Sequence, residues 1–529
     1  MSIFGVSFFP EGEFNLGNLR QLVTKSYYLQ TLWFTFWQAA VSTVLTVIVG
    51  LPGAYIFARY RFPGKSWLNA FASVPFVLPT IVVAAAFKAF LGRNGLLNDW
   101  LMGWLELESP PIQLNHTVWF ILLAHVFYNY TVVLRIVGGF WSGLQPALFE
   151  AAGMLGASPR KVFFKVTLPL LKPAILTAGL LVFIFCFSSF GVILILGGPR
   201  YATLEVEIYR QAVHLFNLPM AAALSLIQIV FTFLLMWAYT RLQRRSTVSL
   251  NPESAAQTQR KPSSNAERCF IVFNVLFVLL FLGAPLFSLA YESIATSRGF
   301  SLEYYRALFE NPIRSVFYIP PVQAVSYSVG YALITLVLAL ILGLLAAVYI
   351  SRKKSRFSQI LDPIFMLPLS TSAVTLGFGF IIALDEPPLN LRASLLIVPI
   401  AHALVAFPFV VRSLLPAFRS LPEQLKEAAL LLGANPLKAF FMIDLPIIGR
   451  ALLVGAVFAF TVSLGEFGAS VFVARQQTPT MPLAIFRFLS QPGAINFGQA
   501  MAMSTILMLV TALGFLSLEK FRIKQIGEF

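Results

Sequence analysis

Long apolar stretches separated by short polar segments run through most of the chain. A helix needs about 20 mostly apolar residues to cross a bilayer. Eleven stretches reach this length, near 32–57, 68–90, 117–137, 173–197, 213–240, 269–291, 323–350, 358–384, 394–414, 450–473 and 496–517. Their apolar runs are continuous rather than alternating, which favours helices over barrel strands. The pattern therefore predicts an all-α integral membrane protein, a polytopic helical bundle of about 11 spans.

Basic residues predict the orientation of these spans. They gather in alternate loops: "RYRFPGK" from Arg59, the loop around Lys165, "RLQRR" from Arg241, "SRKKSR" from Ser351 and the tail "EKFRIK". The positive-inside rule assigns these loops to the cytoplasm, which puts the N-terminus outside. The second half begins with an extra span from Cys269 that the first half lacks, so we expect either a lost first helix or a start codon assigned too late.

Composition agrees with a membrane protein and narrows its chemistry. The 529 residues are 58% hydrophobic and 11% charged, with a mean hydropathy of +0.79. A net charge of +16 is compatible with nucleic-acid binding, but the cations lie at span ends, so we expect lipid and no nucleic acid as partner. Cys186 and Cys269 are predicted to be small buried residues. No carboxylate, Cys/His or Ser/His/Asp cluster predicts a catalytic or metal site.

The chain contains an internal repeat. "EAAGMLGASPRKVFFKVTLP" from Glu150 and "EAALLLGANPLKAFFMIDLP" from Glu427 are identical at twelve of twenty positions. The same shift of 277 residues pairs His125 with His402, and nearer the start a shift of 293 pairs Gly50 with Gly343. Equivalent loops fall on one side, so the repeat is parallel. We predict a first repeat over 1–240, a cytoplasmic linker over 241–268 that is unlikely to pack, and a second repeat over 269–529.

Each repeated loop is predicted to contain two short helices joined by an exposed bend. Gly156 stands where a C′ glycine ends a helix, and Ser158-Pro159 forms an N-cap followed by proline at the first helical position; Asn435-Pro436 keeps this arrangement. Phe163-Phe164 and its copy are expected to anchor the second helix. From these features alone the loop is either an ordinary hairpin or a docking element.

The same loops resemble a known motif. Glu-Ala-Ala, then Gly, then Leu-Pro looks like the "EAA" motif of ATP-binding-cassette (ABC) importer permeases of the type I fold. The matching residues are Glu150, Ala151, Ala152, Gly156 and Pro169, and again Glu427, Ala428, Ala429, Gly433 and Pro446. The resemblance implies coupling loops, two separate ABC ATPase subunits on the cytoplasmic side, an extracytoplasmic substrate-binding protein and a bacterial inner-membrane location.

ATP is expected to be used by those partner subunits, with no cofactor on this chain. The only "GK[ST]" sequence, "PGKS" from Pro63, has Arg59 where the first glycine of a phosphate-binding loop belongs. We therefore predict a transporter subunit that is not itself an enzyme. A secondary transporter with parallel repeats is an alternative that explains the spans and the duplication but not the paired loops.

Two fused halves are similar to the thiamine and ferric-iron permease group. "TLWFTFWQAA" from Thr31 and "FCFSSFGVILILGGPRYATLEVEIYRQA" from Phe185 look like thiamine permeases, whereas "SLGEFGASVFVA" from Ser463 is shared more widely. The resemblance favours thiamine as cargo, with ferric iron as the alternative.

Polar residues inside spans are candidates for the substrate path because they are costly in lipid. Glu466 replaces Ser189 of the first repeat, and Asn129 faces Ala406 in the repeat alignment. Glu466 is expected either to contact a cationic cargo or to brace the gate. Trp37 and Phe190 are aromatic candidates for stacking on thiamine. His125 and His402 are repeat partners, so we expect interhelical hydrogen bonds from them.

Overall fold

A computed structural model describes residues 2–9, 14–246, 259–310, 319–352, 368, 371–385 and 390–526. Within these residues nearly all regular structure is helical, and the only strands are the two-residue strands of one hairpin, β1 (Ala295–Thr296) and β2 (Gly299–Phe300). Two compact units are present, residues 7–301 and residues 1–6 with 302–529. The predicted all-α class is confirmed.

The helices of the first unit cover the predicted spans and add short connecting helices, but the predicted spans 68–90 and 173–197 are each divided between two helices. They are α1 Ser2–Phe8, α2 Gly17–Thr24, α3 Ser26–Arg59, α4 Lys65–Val77, α5 Thr80–Leu91, α6 Leu96–Leu105, α7 Val118–Ser142, α8 Pro146–Met154, α9 Pro159–Val162, α10 Leu168–Phe187, α11 Gly191–Leu196, α12 Leu204–Tyr209, α13 Leu218–Ser246 and α14 Asn265–Glu292. Two π-helical turns, Phe163–Thr167 and Arg210–His214, and the 3-10 turn Gly198–Arg200 complete this unit. The first residues of α1 cluster with the other unit.

The helices of the second unit repeat this order. They are α15 Glu303–Ala307, α16 Gln323–Arg352, α17 Ala373–Leu384, α18 Ile397–Arg419, α19 Glu423–Leu431, α20 Pro436–Ala439, α21 Leu445–Gly465, α22 Ser470–Val473, α23 Met481–Leu489 and α24 Ala494–Ile526. A π-helical turn, Phe440–Asp444, precedes α21, and Leu391–Ala393 forms a 3-10 turn. The equivalent turn Phe163–Thr167 precedes α10, so both copies share a feature that the sequence did not reveal.

Ten helices in the described part of the chain are long and apolar enough to span a membrane. The predicted span 68–90 is interrupted at Leu78-Pro79, since proline disfavours the helical conformation in the residue before it; α4 ends at Val77 and α5 begins at Thr80. The predicted span 358–384 and the basic segment after Ser351 lie mostly outside the described residues. The described end of that span is the short apolar helix α17.

Small residues set the packing in both units. A Cβ added to Gly50 on α3 would lie 2.8 Å from the Val133 side chain of α7, and one added to Gly343 on α16 would lie 2.5 Å from Val410 of α18. These four residues are equivalent in the repeat alignment. Close helix approach through glycine is common in membrane proteins, and here both repeats use it at the same place.

Packing and sequence duplication divide the chain differently. Helix α14 packs against α5 and α4, inside the unit that ends at residue 301. The predicted repeat boundaries describe duplication and stay a prediction. The expectation that the whole linker does not pack is wrong for its last residues, because Arg260 pairs with Tyr60 in a parallel β-bridge. Linker residues 247–258 lie outside the described part.

Candidate functional site

The two repeated loops end their first helix with the same hydrogen bonds. In the first loop Gly156 has φ 78°, its N–H donates to Gly153 O at 2.9 Å, and Ala157 N–H donates to Ala152 O at 3.1 Å. In the second loop Gly433 has φ 79°, and the equivalent distances, to Leu430 O and Ala429 O, are both 3.0 Å. This pair of bonds is the Schellman motif, which favours glycine at C′. The predicted helix end is confirmed in both copies.

The second short helix of each loop begins at the predicted cap. Ser158 Oγ accepts a long hydrogen bond from Lys161 N–H at 3.4 Å, whereas Asn435 Oδ1 accepts one from Lys438 N–H at 2.7 Å. Pro169 and Pro446 are the second residues of α10 and α21, where a missing N–H is tolerated. The cap residues differ, and the chain path is the same.

An exposed apolar tip is the feature that sequence reasoning missed. Met154 and Leu155 are 90% and 89% exposed, and their repeat partners Leu431 and Leu432 are 89% and 88% exposed. Exposed apolar residues of this size at matched positions are typical of a surface that binds another protein or a membrane. The available signal was the pair of large apolar residues just before each C′ glycine, "MLG" and "LLG".

The residues of the repeated motif surround this tip. Glu150 and Glu427 are exposed, as are Ala151 and Ala428, and the next alanine, Ala152 or Ala429, is partly buried. Each loop therefore presents a carboxylate, a low-relief alanine surface and two apolar side chains together. This arrangement suits docking into a groove that has a basic rim.

Only one phenylalanine of each pair anchors the loop. Phe163 lies against Trp141, with ring centroids 6.4 Å apart, and Phe440 packs on the core around Val410 and Leu414. Phe164 and Phe441 are 64% and 59% exposed. The predicted anchoring thus holds for the first residue of each pair and is wrong for the second.

A cation also contacts the first loop. The Arg59 guanidinium, at the end of α3, lies 4.5 Å from the ring centroid of Phe149 on α8. The equivalent of Phe149 in the second loop is Lys426, which has no ring to offer. The two loops therefore differ in their support despite their shared backbone geometry.

Each unit holds a buried histidine at the break between two helices. His125 Nδ1 lies 3.0 Å from Ser42 Oγ on α3, and its Nε2 lies 2.9 Å from Ser189 Oγ, between α10 and α11. His402 Nδ1 and Nε2 lie 2.9 Å from Ser463 Oγ on α21 and Ser470 Oγ on α22. The predicted interhelical hydrogen bonds are confirmed for both histidines.

The remaining polar candidates lie near these same breaks, Glu466 just after α21 and Asn129 within α7. Glu466 is 9% exposed, follows α21, and accepts a hydrogen bond from Ala469 N–H at 3.0 Å. Asn129 is 1% exposed and donates to His125 O at 3.0 Å and Cys186 Sγ at 3.4 Å. The Glu466 contact favours the bracing alternative, because the carboxylate holds the backbone that leads into α22.

The aromatic candidates differ in accessibility. Phe190 is 6% exposed and packs edge-on against Tyr209, at 5.6 Å. Trp37 is 39% exposed and lies 6.2 Å from Phe34, which in turn lies 5.3 Å from Tyr201. Trp37 is therefore partly exposed, whereas Phe190 is enclosed. A role of either residue in the substrate path stays a prediction.

Metal ligands are not grouped in the described residues: no cluster of three or more His, Cys, Asp or Glu side chains occurs there. Cys186 is buried as predicted, whereas Cys269 is exposed and the prediction of its burial is wrong. Cys269 lies in the first turns of α14.

Comparison with known proteins decides the family. The profile of "Binding-protein-dependent transport system inner membrane component" proteins matches residues 47–248 and again residues 339–521. The chain belongs to this family. The two matches contain one repeated loop each, so the family match and the internal repeat coincide.

Several curated relatives of this family member cover most of its length. It is 27% identical over 477 residues to the "Thiamine transport system permease protein ThiP" of Brucella abortus strain 2308, covering 90% of this chain and 84% of the relative. The protein of the same name from Escherichia coli K12 is 27% identical over 508 residues, covering 94% and 89%. That from Haemophilus influenzae is 26% identical, covering 92% and 89%.

Membership of this family identifies the kind of protein in which the two repeated loops occur. The chain is a permease subunit of an ABC importer and a multi-pass protein of the bacterial inner membrane. Its ten long apolar helices agree with that assignment. The predicted orientation places Glu150 and Glu427 on the cytoplasmic side, where basic loops gather.

Proposed function

We propose that the chain forms the translocation path for thiamine in an importer with two ATPase subunits and an extracytoplasmic binding protein. The chain itself is a transporter subunit without an ATPase site, and ATP acts on the partner subunits. One observation supports ATPase docking most directly, namely the matched pair of loop tips. Each tip has an exposed glutamate, Glu150 or Glu427, and two apolar residues that are about nine-tenths exposed.

The two docking loops account for coupling in physical terms. Closure of two ATPase subunits on ATP would draw rigid loops together and change which side of the helix bundle is open. Each loop is stiffened by its Schellman motif and by the phenylalanine that anchors it to the bundle. A secondary transporter would have no use for two such loops.

Thiamine is favoured as cargo over ferric iron by two features. Relatives named as thiamine permeases align over about nine-tenths of this chain. Trp37, which is partly exposed, and its neighbours Phe34 and Tyr201 offer the aromatic surface that attracts an aromatic cation. Thiamine is a cation with an aromatic ring, whereas ferric ion prefers hard oxygen ligands.

The test is uptake by the assembled importer in proteoliposomes. The chain is reconstituted with its ATPase and binding protein, ATP is enclosed, and labelled thiamine or ferric iron is offered outside. We expect ATP-dependent thiamine uptake that is lost when the ATPase catalytic glutamate is replaced. Iron uptake without thiamine uptake would overturn the cargo. Uptake that persists with the inactive ATPase would support the secondary transporter.

A further inference from the structure

The end of the linker between the repeats is attached to the first unit. Arg260 N–H donates to Arg59 O at 2.9 Å, and Arg61 N–H donates to Arg260 O at 3.0 Å. These two bonds flank Tyr60 and continue the backbone of α3 as a short parallel bridge. The linker thereby fixes the backbone of Arg59, the last residue of α3.

Side chains strengthen this attachment. Arg260 Nη2 donates to Glu267 Oε1 at 2.5 Å, and Tyr60 Oη donates to the same oxygen at 3.1 Å. Glu267 Oε2 accepts from Ser263 N–H at 2.8 Å. We call Tyr60, Arg260, Ser263 and Glu267 the linker clamp. An exposed ion pair alone contributes little, but here it acts together with backbone hydrogen bonds and a shared acceptor.

The residue that the linker clamp positions contacts the first coupling loop. Arg59 covers Phe149, and its Nη1 is buried without a hydrogen-bond partner among the described residues. The guanidinium therefore reaches the first coupling loop through its contact with the Phe149 ring. Phe149 immediately precedes Glu150, so the contact with Arg59 lies directly beside the carboxylate of the loop.

Within the part of the chain that the structure describes, this arrangement is found at the first loop only. The second loop has Lys426 in place of Phe149, and the chain has a single linker between its repeats. We propose that the linker clamp is a positioning device for the first coupling loop, which makes the two ATPase attachments mechanically unequal. This inference rests on the proposed docking of both loops.

The experiment compares the two loops within one assembled complex. A photo-crosslinking amino acid replaces Met154 in the first loop or Leu431 in the second, and the yield of crosslinked ATPase is measured. We expect Arg260→Ala to lower the yield at position 154 about threefold, as for loss of a cation–π contact of moderate strength, and to leave the yield at 431 unchanged. Lys261→Ala removes an adjacent exposed linker cation and is the matched control, with both yields unchanged.

A second substitution tests the route through Phe149. Phe149→Leu should lower the yield at 154 to a similar extent, and Phe149→Trp should retain it. The double variant with Arg260→Ala should fall no further than the stronger single variant, because both residues act through one contact. General unfolding would lower both yields together, so the ratio of the two yields separates positioning from stability.

Two results would overturn the inference, and they are distinguishable. If the unsubstituted complex crosslinks at both positions and Arg260→Ala and Phe149→Leu leave the ratio unchanged, the linker clamp has no positioning role and the docking proposal stands. If the unsubstituted complex crosslinks at neither position, both proposals fall.

Discussion

The two cytoplasmic loops and the two buried histidine sites were duplicated together, yet they have diverged differently. The loops keep the same Schellman hydrogen bonds, the same positive φ at Gly156 and Gly433 and the same degree of tip exposure. The histidine sites keep a serine hydroxyl at each ring nitrogen, but the serines come from different positions. His125 bonds to Ser42 and Ser189, whereas His402 bonds to Ser463 and Ser470.

The difference follows from what each region meets. Under the proposed function, two loops that dock on two copies of one ATPase must present the same surface, which accounts for their matched tips. A single path for an asymmetric cargo has no such requirement, and its lining can differ between the halves. Residues that occur in one repeat only, such as Asn129 opposite Ala406 and Glu466 opposite Ser189, are therefore better candidates for cargo specificity than the paired histidines.

Replacing each histidine tests the largest structural effect. His125→Ala or His402→Ala removes a buried ring and its two hydrogen bonds with serine hydroxyls, a loss of about 2–4 kcal/mol. We expect the apparent melting temperature in detergent to fall by a similar amount for both, with the cargo KM unchanged in what remains folded. A variant that keeps its melting temperature but raises the cargo KM would place that histidine in the path and break the comparison.

Replacing the loop glycines tests the equivalence of the two loops. Gly156→Val and Gly433→Val force a β-branched residue into positive φ, which costs about 1–2 kcal/mol. We expect each to reduce ATPase co-purification to a similar extent, and Gly156→Asn to reduce it less, since asparagine tolerates this conformation. Gly153→Ala is the control, because a Cβ there meets no atom within 4 Å. A complete absence of loss for one of the two valine variants would show that the loops do not dock alike.

Substitutions of Glu466 test whether this residue, which occurs in the second repeat only, braces the helix break or contacts cargo. Glu466→Gln keeps an oxygen that accepts from Ala469 N–H, so a bracing role predicts transport within about twofold of the original. Glu466→Ala leaves that buried N–H unpaired and should lower the melting temperature. Uptake kinetics and thermal melting of both variants check this. A large rise in KM for Glu466→Gln at unchanged melting temperature would instead indicate contact with a cationic cargo.

Replacing Lys65 is expected to have the smallest effect. It changes how stability depends on pH in the first repeat, with no equivalent change expected in the second. Burial, with Arg61 nearby, lowers the pKa of Lys65 to about 8, and its Nζ donates to Tyr60 O at 2.8 Å. A lowered folded-state pKa means that charging Lys65 destabilises the fold. This penalty is fully present below pH 8 and is relieved as the pH rises from 8 toward the unfolded pKa near 10.5.

The difference in melting temperature between the original protein and Lys65→Met, measured as a function of pH, isolates the contribution of Lys65 ionisation. The melting temperature of the original should rise relative to that of Lys65→Met by on the order of 1 °C between pH 7.5 and 9.5. The equivalent residue in the second repeat is Ser358, so no matching term is expected there. A flat difference curve would contradict the lowered pKa.

Much of the secondary structure could be predicted from local sequence rules, whereas the remaining features depend on tertiary contacts. Apolar length predicted the spans, and glycine and cap residues predicted the ends of α8 and α9, because these features depend on a few neighbouring residues. The break at Leu78-Pro79 and the π-helical turn at Phe163–Thr167 were not predicted. The pairing of Arg260 with Tyr60 joins residues about 200 positions apart, and nothing in the local composition of a Ser/Pro-rich linker indicates it.

The candidate site likewise combines residues that the sequence identified with residues that only the structure revealed. The motif residues from Glu150 to Pro169 were identified from sequence, and the exposed pair Met154 and Leu155 required the structure, because apolar residues in a membrane protein are normally expected against lipid or core. Which serines each histidine meets depends on how α3, α10 and α21 pack. That packing is not encoded by any short stretch.

The central claim is that each loop holds one ATPase subunit, and native mass spectrometry of the purified complex counts those subunits directly. We predict two ATPase subunits per chain for the original protein, one for either Glu150→Lys or Glu427→Lys, and none for the double variant, with the permease still folded and inserted. Two subunits retained by the double variant would contradict the account.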